Sequence, residues 1–185
     1  DGSQGFTKID ITTSADGARS VYAADVDGDG DMDVLSASWG DDTIAWYEND
    51  GSENFSEYVI TNSADNASEV RAADVDGDGD MDVLSASKND DTIAWYENDG
   101  SENFTENVIT TNADGARSVY AVDVDSDGDM DVLSASENDD TIAWYENDGS
   151  ESFTEHAIST SADAARSVHA ADVDGDGDMD VLSAS

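Results

Sequence analysis

The residues of this chain best suited to chemistry are aspartates, and they are concentrated in one recurring stretch, Asp25-Val26-Asp27-Gly28-Asp29-Gly30-Asp31-Met32-Asp33. It returns at Asp74 to Asp82, at Asp123 to Asp131 with Ser126 in place of the first glycine, and at Asp172 to Asp180, each copy 49 residues after the last. Five carboxylates within nine residues repel one another, and a folded hairpin concentrates them only around a counter-charge. Carboxylates at positions 1, 3, 5 and 9 with glycine at 6 suit a hard cation wrapped by oxygen ligands. In such a loop the side chains of 1, 3 and 5 ligate, position 7 offers its backbone carbonyl, and position 9 closes the shell. Gly30, at position 6, permits the sharp turn because glycine takes positive φ cheaply. The implied ion is calcium, about one per loop and four in all.

Three alternatives fare worse. Solvated Asp-Gly turns holding no metal do not account for four arrays of five acids. An EF-hand needs a bidentate glutamate at position 12, where this chain has Ser36, Ser85, Ser134 and Ser183, and it needs flanking helices. Magnesium resists full dehydration and rarely receives a cage made only of protein ligands.

These loops must be held by a repeated scaffold. The 49-residue period organises the whole chain: Trp46-Tyr47-Glu48-Asn49-Asp50-Gly51-Ser52 recurs from Trp95 and from Trp144, and Phe6, Phe55, Phe104 and Phe153 keep the same spacing. Such near-identity points to recent duplication or to design. Each unit offers four short strands and no helical periodicity. The first is Ser20 to Val26, entering the aspartate loop, and the second is Val34 to Ser38, leaving it, so that a bound ion clamps a hairpin. The third is Thr43 to Asn49, followed by the turn signal Asn49-Asp50-Gly51-Ser52. The fourth is Phe55 to Thr61, and Asn62 to Ala67 links to the next unit.

In the third strand Ile44 and Trp46 point one way and Ala45 and Tyr47 the other, so both faces carry packing groups. Small residues in the first two strands fit an inner position, and the larger Phe and Ile of the fourth fit a periphery. The expected fold is therefore all-β, a β-propeller of four-stranded blades with a calcium loop between strands one and two; a β-solenoid, whose units are shorter, is the alternative. We read residues 1–185 as a single propeller or propeller segment, with units at 20–68, 69–117 and 118–166 and partial units at 1–19 and 167–185.

The units resemble the FG-GAP/VCBS family of calcium-binding propeller repeats, found in integrin α-subunit heads and in many secreted bacterial proteins. The resemblance rests on Asp25-x-Asp27-Gly28-Asp29-Gly30-x-x-Asp33 and its three copies, and it covers essentially the whole chain. It implies calcium ligands at Asp25, Asp27, Asp29, Asp31 (through its carbonyl) and Asp33. The corresponding residues are Asp74, Asp76, Asp78, Asp80 and Asp82; Asp123, Asp125, Asp127, Asp129 and Asp131; and Asp172, Asp174, Asp176, Asp178 and Asp180. The family's propellers commonly have seven blades, whereas this chain holds fewer than four units.

Strand counting bears on closure. First, second and fourth strand types each occur four times but the third only three times, with an isolated fourth-type strand expected at Phe6 to Thr12 and a last second-type strand at Val181 to Ser185. Closing a ring would need the missing third-type strand. The expectation is that further repeats, or self-association with other copies, complete a larger ring or array.

The chain has 46 acidic and 6 basic side chains, no cysteine and no proline, for a net charge of −40. Four divalent ions would reduce this only to −32, a charge that argues against nucleic acid and anionic membranes as partners. No apolar run approaches membrane-spanning length and no signal peptide is present; the chain starts inside a repeat, which leaves room for a leader ahead of it. Loops of this kind fill where calcium is near millimolar, which favours a secreted or cell-surface location.

Other residues offer weaker chemistry. Trp46, Trp95, Trp144, Tyr47, Tyr96 and Tyr145 suit packing between blades better than sugar stacking. Trp39 is placed differently, in a loop where its counterparts are Lys88 and Glu137. Arg19, Arg117 and Arg166 precede first strands, where pairing with carboxylates is expected. His156 and His169 have no repeated constellation around them, and no nucleophile elbow, phosphate loop or positioned base is found. The expected function is a non-catalytic extracellular module for adhesion, surface display or protein interaction, whose protein or glycan ligand is unspecified. A calcium-dependent lectin with glycan pockets between blades is the alternative, ahead of a carbohydrate-active enzyme.

Overall fold

The computed structural model describes residue 5 and residues 7–185. Strand, turn and aspartate loop alternate through it with the sequence period. The first sheet contains β1 (Ala18–Ala24), β2 (Asp33–Ser38), β3 (Thr43–Asn49) and β4 (Phe55–Thr61). The second contains β5 (Ala67–Ala73), β6 (Asp82–Ser87), β7 (Thr92–Asn98) and β8 (Phe104–Thr110). The third contains β9 (Ala116–Val122), β10 (Asp131–Ser136), β11 (Thr141–Asn147) and β12 (Phe153–Ser159). A final pair, β13 (Ser167–Ala171) and β14 (Asp180–Ala184), stands as a two-stranded sheet. All neighbouring strands pair antiparallel. The chain is thus all-β, with four-stranded antiparallel sheets repeating at the 49-residue period.

The third and fourth strands of each full unit lie where the alternation places them. β1, β5 and β9 start two residues earlier than Ser20 and its counterparts, while β13 starts at its counterpart Ser167. β1 stops at Ala24 because the Asp25 carboxylate already belongs to the following loop and accepts from Gly30 N at 3.1 Å. The isolated fourth-type strand expected at Phe6 to Thr12 is not formed: residues 7–12 have no strand structure, and Phe6 lies outside the described residues. In the full units this strand pairs only with the third strand, as β4 does with β3. Among the described residues each third-type strand, β3, β7 and β11, is already paired on both edges, so the segment has no ladder to join.

Third strands bury both faces, and the sheets stack through them. Ile44 and Trp46 pack with Ala94 and Tyr96 of the next sheet, and Ile93 and Trp95 with Ala143 and Tyr145 of the one after. At the last junction Leu133, Ala135 and Ile142 meet Ala165, Val168 and Ala170, with Trp144 packed partly buried against them. Burying Trp46 and Ile44 removes large apolar areas from water at about 25 cal/mol per Å2, which makes these stacked faces the main source of cohesion.

First strands lie beside one another and are tied by single hydrogen bonds. Val70 N donates to Ser20 Oγ at 3.3 Å, Val119 N to Glu69 Oε2 at 3.0 Å and Val168 N to Ser118 Oγ at 3.2 Å. The four first strands therefore form a row. Aspartate loops follow their C-terminal ends, and the 39–42 turn and its counterparts lie at the other end. Among the described residues no helix is long and apolar enough to cross a membrane.

Candidate metal centre

Each aspartate loop folds on its own carboxylates. In the first, Asp29 N donates to Asp27 Oδ1 at 3.1 Å, Gly30 N to Asp25 Oδ2 at 3.1 Å and Asp31 N to Asp29 Oδ1 at 2.8 Å. Gly30 has φ +97°, which only glycine adopts without strain. The same bonds recur in the second loop through Asp76, Asp74 and Asp78, and in the third through Asp125, Asp123 and Asp127. Ser126 occupies the left-handed region at φ +65°, like the glycine it replaces.

The result is a three-carboxylate cluster in every loop: Asp25, Asp27 and Asp29; Asp74, Asp76 and Asp78; Asp123, Asp125 and Asp127; and Asp172, Asp174 and Asp180. Within each cluster one oxygen per residue lies within 4.8 Å of the others, so each cluster can hold a metal ion. Asp25 Oδ1 and Asp123 Oδ1 are buried and have no hydrogen-bond partner, although buried oxygens are almost always paired. An all-oxygen donor set with such orphaned atoms fits a hard divalent cation. Burial foremost, with repulsion from neighbouring aspartates, raises the pKa of Asp27, Asp76 and Asp125 against the effect of their backbone bonds. A bound cation would relieve that repulsion.

The remaining residues of the motif are placed differently. Asp33 is fully buried, and its oxygens accept from Val26 N at 3.0 Å and Asn49 N at 2.8 Å. Asp82 and Asp131 do the same with Val75 and Asn98, and with Val124 and Asn147. These three carboxylates span the base of the loop and fasten it to the next turn, while Asp180 joins the cluster of the fourth loop, which Asp176 does not. Burial pushes Asp82 up to about 7, only partly opposed by its two backbone bonds. The side chains of Asp31, Asp80 and Asp129 lie over Gly51, Gly100 and Gly149, leaving no room there for a Cβ.

Sequence reasoning missed Asn98 and Asn147. The Asn98 side-chain amide donates to Val26 O and Met81 O, both at 3.3 Å, and Asn147 donates to Val75 O at 3.4 Å and Met130 O at 3.1 Å. The last residue of β7 and of β11 thus ties two successive aspartate loops together. The available signal was its invariance across Asn49, Asn98 and Asn147 in a turn that asks only for a good turn former.

Outside the loops, Trp46, Trp95, Tyr47, Tyr96 and Tyr145 are buried packing groups. Trp46 also stacks on Tyr58 at 4.9 Å. Trp39 is 53% exposed. Arg117 and Arg166 pair with Glu137, but among the described residues Arg19 has no carboxylate partner and reaches only Asn66 Oδ1, at 3.4 Å. His156 contacts Glu146 Oε2 at 2.7 Å, and His169 packs edge-on to Tyr120.

The FG-GAP-like repeat pattern matches residues 1–36, 25–85, 74–134 and 123–183. The chain belongs to the FG-GAP-like repeat family. No curated protein matches it in sequence. Among solved structures, it is similar to an Agrocybe aegerita lectin described as recognising non-reducing terminal N-acetylglucosamine, with TM-score 0.61 and 17% identity over 88% of this chain and 46% of that one. It is also similar to the V. cholerae biofilm matrix protein Bap1, with TM-score 0.57 and 24% identity over 89% of this chain and 23% of that one. The chain spans less than half the length of either, and at these identities the likeness is one of fold.

Proposed function

We propose that this chain is a segment of a calcium-binding β-propeller, its sheets serving as blades, that acts as a non-catalytic extracellular module for adhesion, surface display or protein interaction. The observation that carries this is the recurrence of a three-carboxylate cluster between the first and second strands of each unit, with a buried oxygen left unpaired in the first and third, at Asp25 and Asp123. Calcium suits these clusters better than magnesium because the carboxylates come from one flexible, oxygen-rich loop. Family membership supports a repeat module, and the biofilm matrix protein and lectin of similar fold support a place outside the cell. Further repeats or other copies would complete the ring or array. A lectin with equivalent aromatic pockets between blades is less favoured, because the tryptophans and tyrosines it needs are spent on packing.

Calorimetric titration with calcium and with magnesium, paired with melting curves in chelator, tests this. Four sites preferring calcium and a melting temperature raised by calcium are expected. A melting curve indifferent to chelator would overturn the calcium reading.

A further inference from the structure

Only six side chains of this chain are Lys or Arg, and four of them, Arg19, Lys88, Arg117 and Arg166, line two adjoining recesses at the end of the first strands away from the aspartate loops. One recess, about 370 Å3, is lined by Ala18, Arg19, Trp39, Asn66, Lys88 and Arg117. The other, about 310 Å3, shares Arg19 and Arg117 and adds Arg166 and the first-strand residues Ser20, Ser68, Glu69 and Ser167.

Carboxylates do not neutralise this cluster. Lys88 Nζ lies 2.8 Å from Glu137 Oε2, Arg117 bonds the same oxygen, and an Arg166 guanidinium nitrogen lies 3.0 Å from Glu137 Oε1. Three cations therefore share one carboxylate, whose pKa Lys88 first and then Arg117 lower to about 2. Glu69 is taken up by Arg71 and Val119 N, and Asp65 and Asp114 by the side-chain amides of Asn89 and Asn138, each at 2.9 Å. Among the described residues Arg19 pairs with no carboxylate and reaches only Asn66 Oδ1, at 3.4 Å. Beside it Trp39 stands half in solvent, its indole lying over Gly17, where φ is +67° and a Cβ would fall 2.6 Å from Trp39 Nε1.

We infer that this recess binds the terminal acidic sugar of a glycan, its carboxylate held by Arg19 and Arg117 and its ring laid against Trp39. Guanidinium groups match carboxylates in a two-point fork, and an exposed indole offers an apolar face with a polar edge. The volume suits a ligand of one or two rings. Net charge sets the ligand's size. A long polyanion would run over the acid-rich flanks of a chain carrying −40, whereas one terminal carboxylate feels mainly charges within the roughly 8 Å screening length. The site is remote from the metal loops and independent of the calcium reading.

The test is calorimetric titration, at fixed calcium, with a disaccharide ending in glucuronate and with the matched disaccharide ending in glucose. Binding of the first alone is expected, weakening with added salt, about tenfold weaker for both Arg19→Gln and Trp39→Ala, and unchanged for Lys8→Gln. Glu137→Gln, which frees Lys88, Arg117 and Arg166, should tighten it. Equal binding of the neutral sugar, indifference to Arg19→Gln or no binding overturns the inference. A hexaglutamate peptide that binds as tightly as the acidic sugar overturns the glycan assignment in favour of an acidic protein ligand.

Discussion

Asn98 donates its side-chain amide to the carbonyl of Val26, 72 residues earlier in the chain, across 3.3 Å. Its own backbone N–H donates to Asp82 Oδ1 at 2.8 Å. The turn of one unit thereby holds the base of its own aspartate loop and the entry of the preceding one, so a change of shape in either loop is felt by the other. Asn147 repeats the arrangement with Val75 and Asp131. Asn49 makes only the bonds within its own unit, its amide reaching Met32 O at 3.1 Å.

That contrast gives an internally controlled prediction. Asn98→Ala removes three side-chain bonds, two donated to Val26 O and Met81 O and one accepted from Glu102 N, and leaves the Val26 carbonyl without this partner, which should cost about 1–3 kcal/mol. Asn49→Ala removes two bonds near solvent, one donated to Met32 O and one accepted from Gly51 N, neither between units, and should cost about 1 kcal/mol or less. Urea unfolding of both variants measures the difference, and equal costs would show that the bond between units contributes nothing.

Calcium removal should destabilise the fold in proportion to the sites emptied. At one site, free ion at a hundred times its dissociation constant contributes about 2.7 kcal/mol to the native state. Asp29→Ala should delete one site from the titration, because Asp29 belongs to the first cluster. Asp41→Ala should leave the count intact, since Asp41 lies in the turn at the other end and accepts from Asp16 N at 3.3 Å. If both variants titrate alike, the ligand assignment fails.

The pH dependence should change sign with the metal. Asp82 rises from 3.8 to about 7 on folding, with burial the largest cause, and Asp131 is raised for the same reason. An acid whose folded pKa lies above its unfolded one favours the fold when protonated. Its contribution is complete below about 4 and lost as pH rises through about 7. The metal-free protein should therefore melt higher near pH 5 than near pH 8. Calcium needs the carboxylates ionised, so the loaded protein should melt higher at the upper pH, with protons released on binding. Melting curves at several pH values, with and without chelator, test this; parallel trends would contradict it.

Much of the architecture was legible because the pattern is written four times. Alternation across Thr43–Asn49 and Phe55–Thr61 identified both strands, and the aspartate spacing marked the hairpin each cluster occupies. Three features escaped for physical reasons. The strand expected at Phe6 to Thr12 has the composition of Phe55–Thr61, but residues 7–12 find no partner strand among the described residues, and composition does not carry pairing. The spacing at position 9 does not convey that Asp33 also accepts from the backbone N–H groups of Val26 and Asn49. Glu137 draws Lys88 from beside the second sheet, Arg117 from the third and Arg166 from the start of the last, a gathering that only the stacked sheets bring about. Its trace in the sequence was that Trp39, Lys88 and Glu137 differ at one repeat position while their surroundings stay the same.

Val21 and Val70 occupy one repeat position in opposite environments: Val21 is 69% exposed and Val70 is fully buried. Val70→Ala removes packed methyl groups from the junction between the first two sheets and should cost about 1–3 kcal/mol. Val21→Ala should change the stability of the isolated chain by no more than about 0.5 kcal/mol. The proposed completion by another copy makes a further demand. Every other first strand buries this valine against the sheet before it, as Val119 and Val168 do, so a second copy docking in the same manner would cover Val21. Sedimentation velocity over a range of concentrations should then show self-association in the parent chain that Val21→Ala weakens. Association that ignores Val21→Ala would place the contact elsewhere, and a monomer at every concentration would leave completion to further repeats alone.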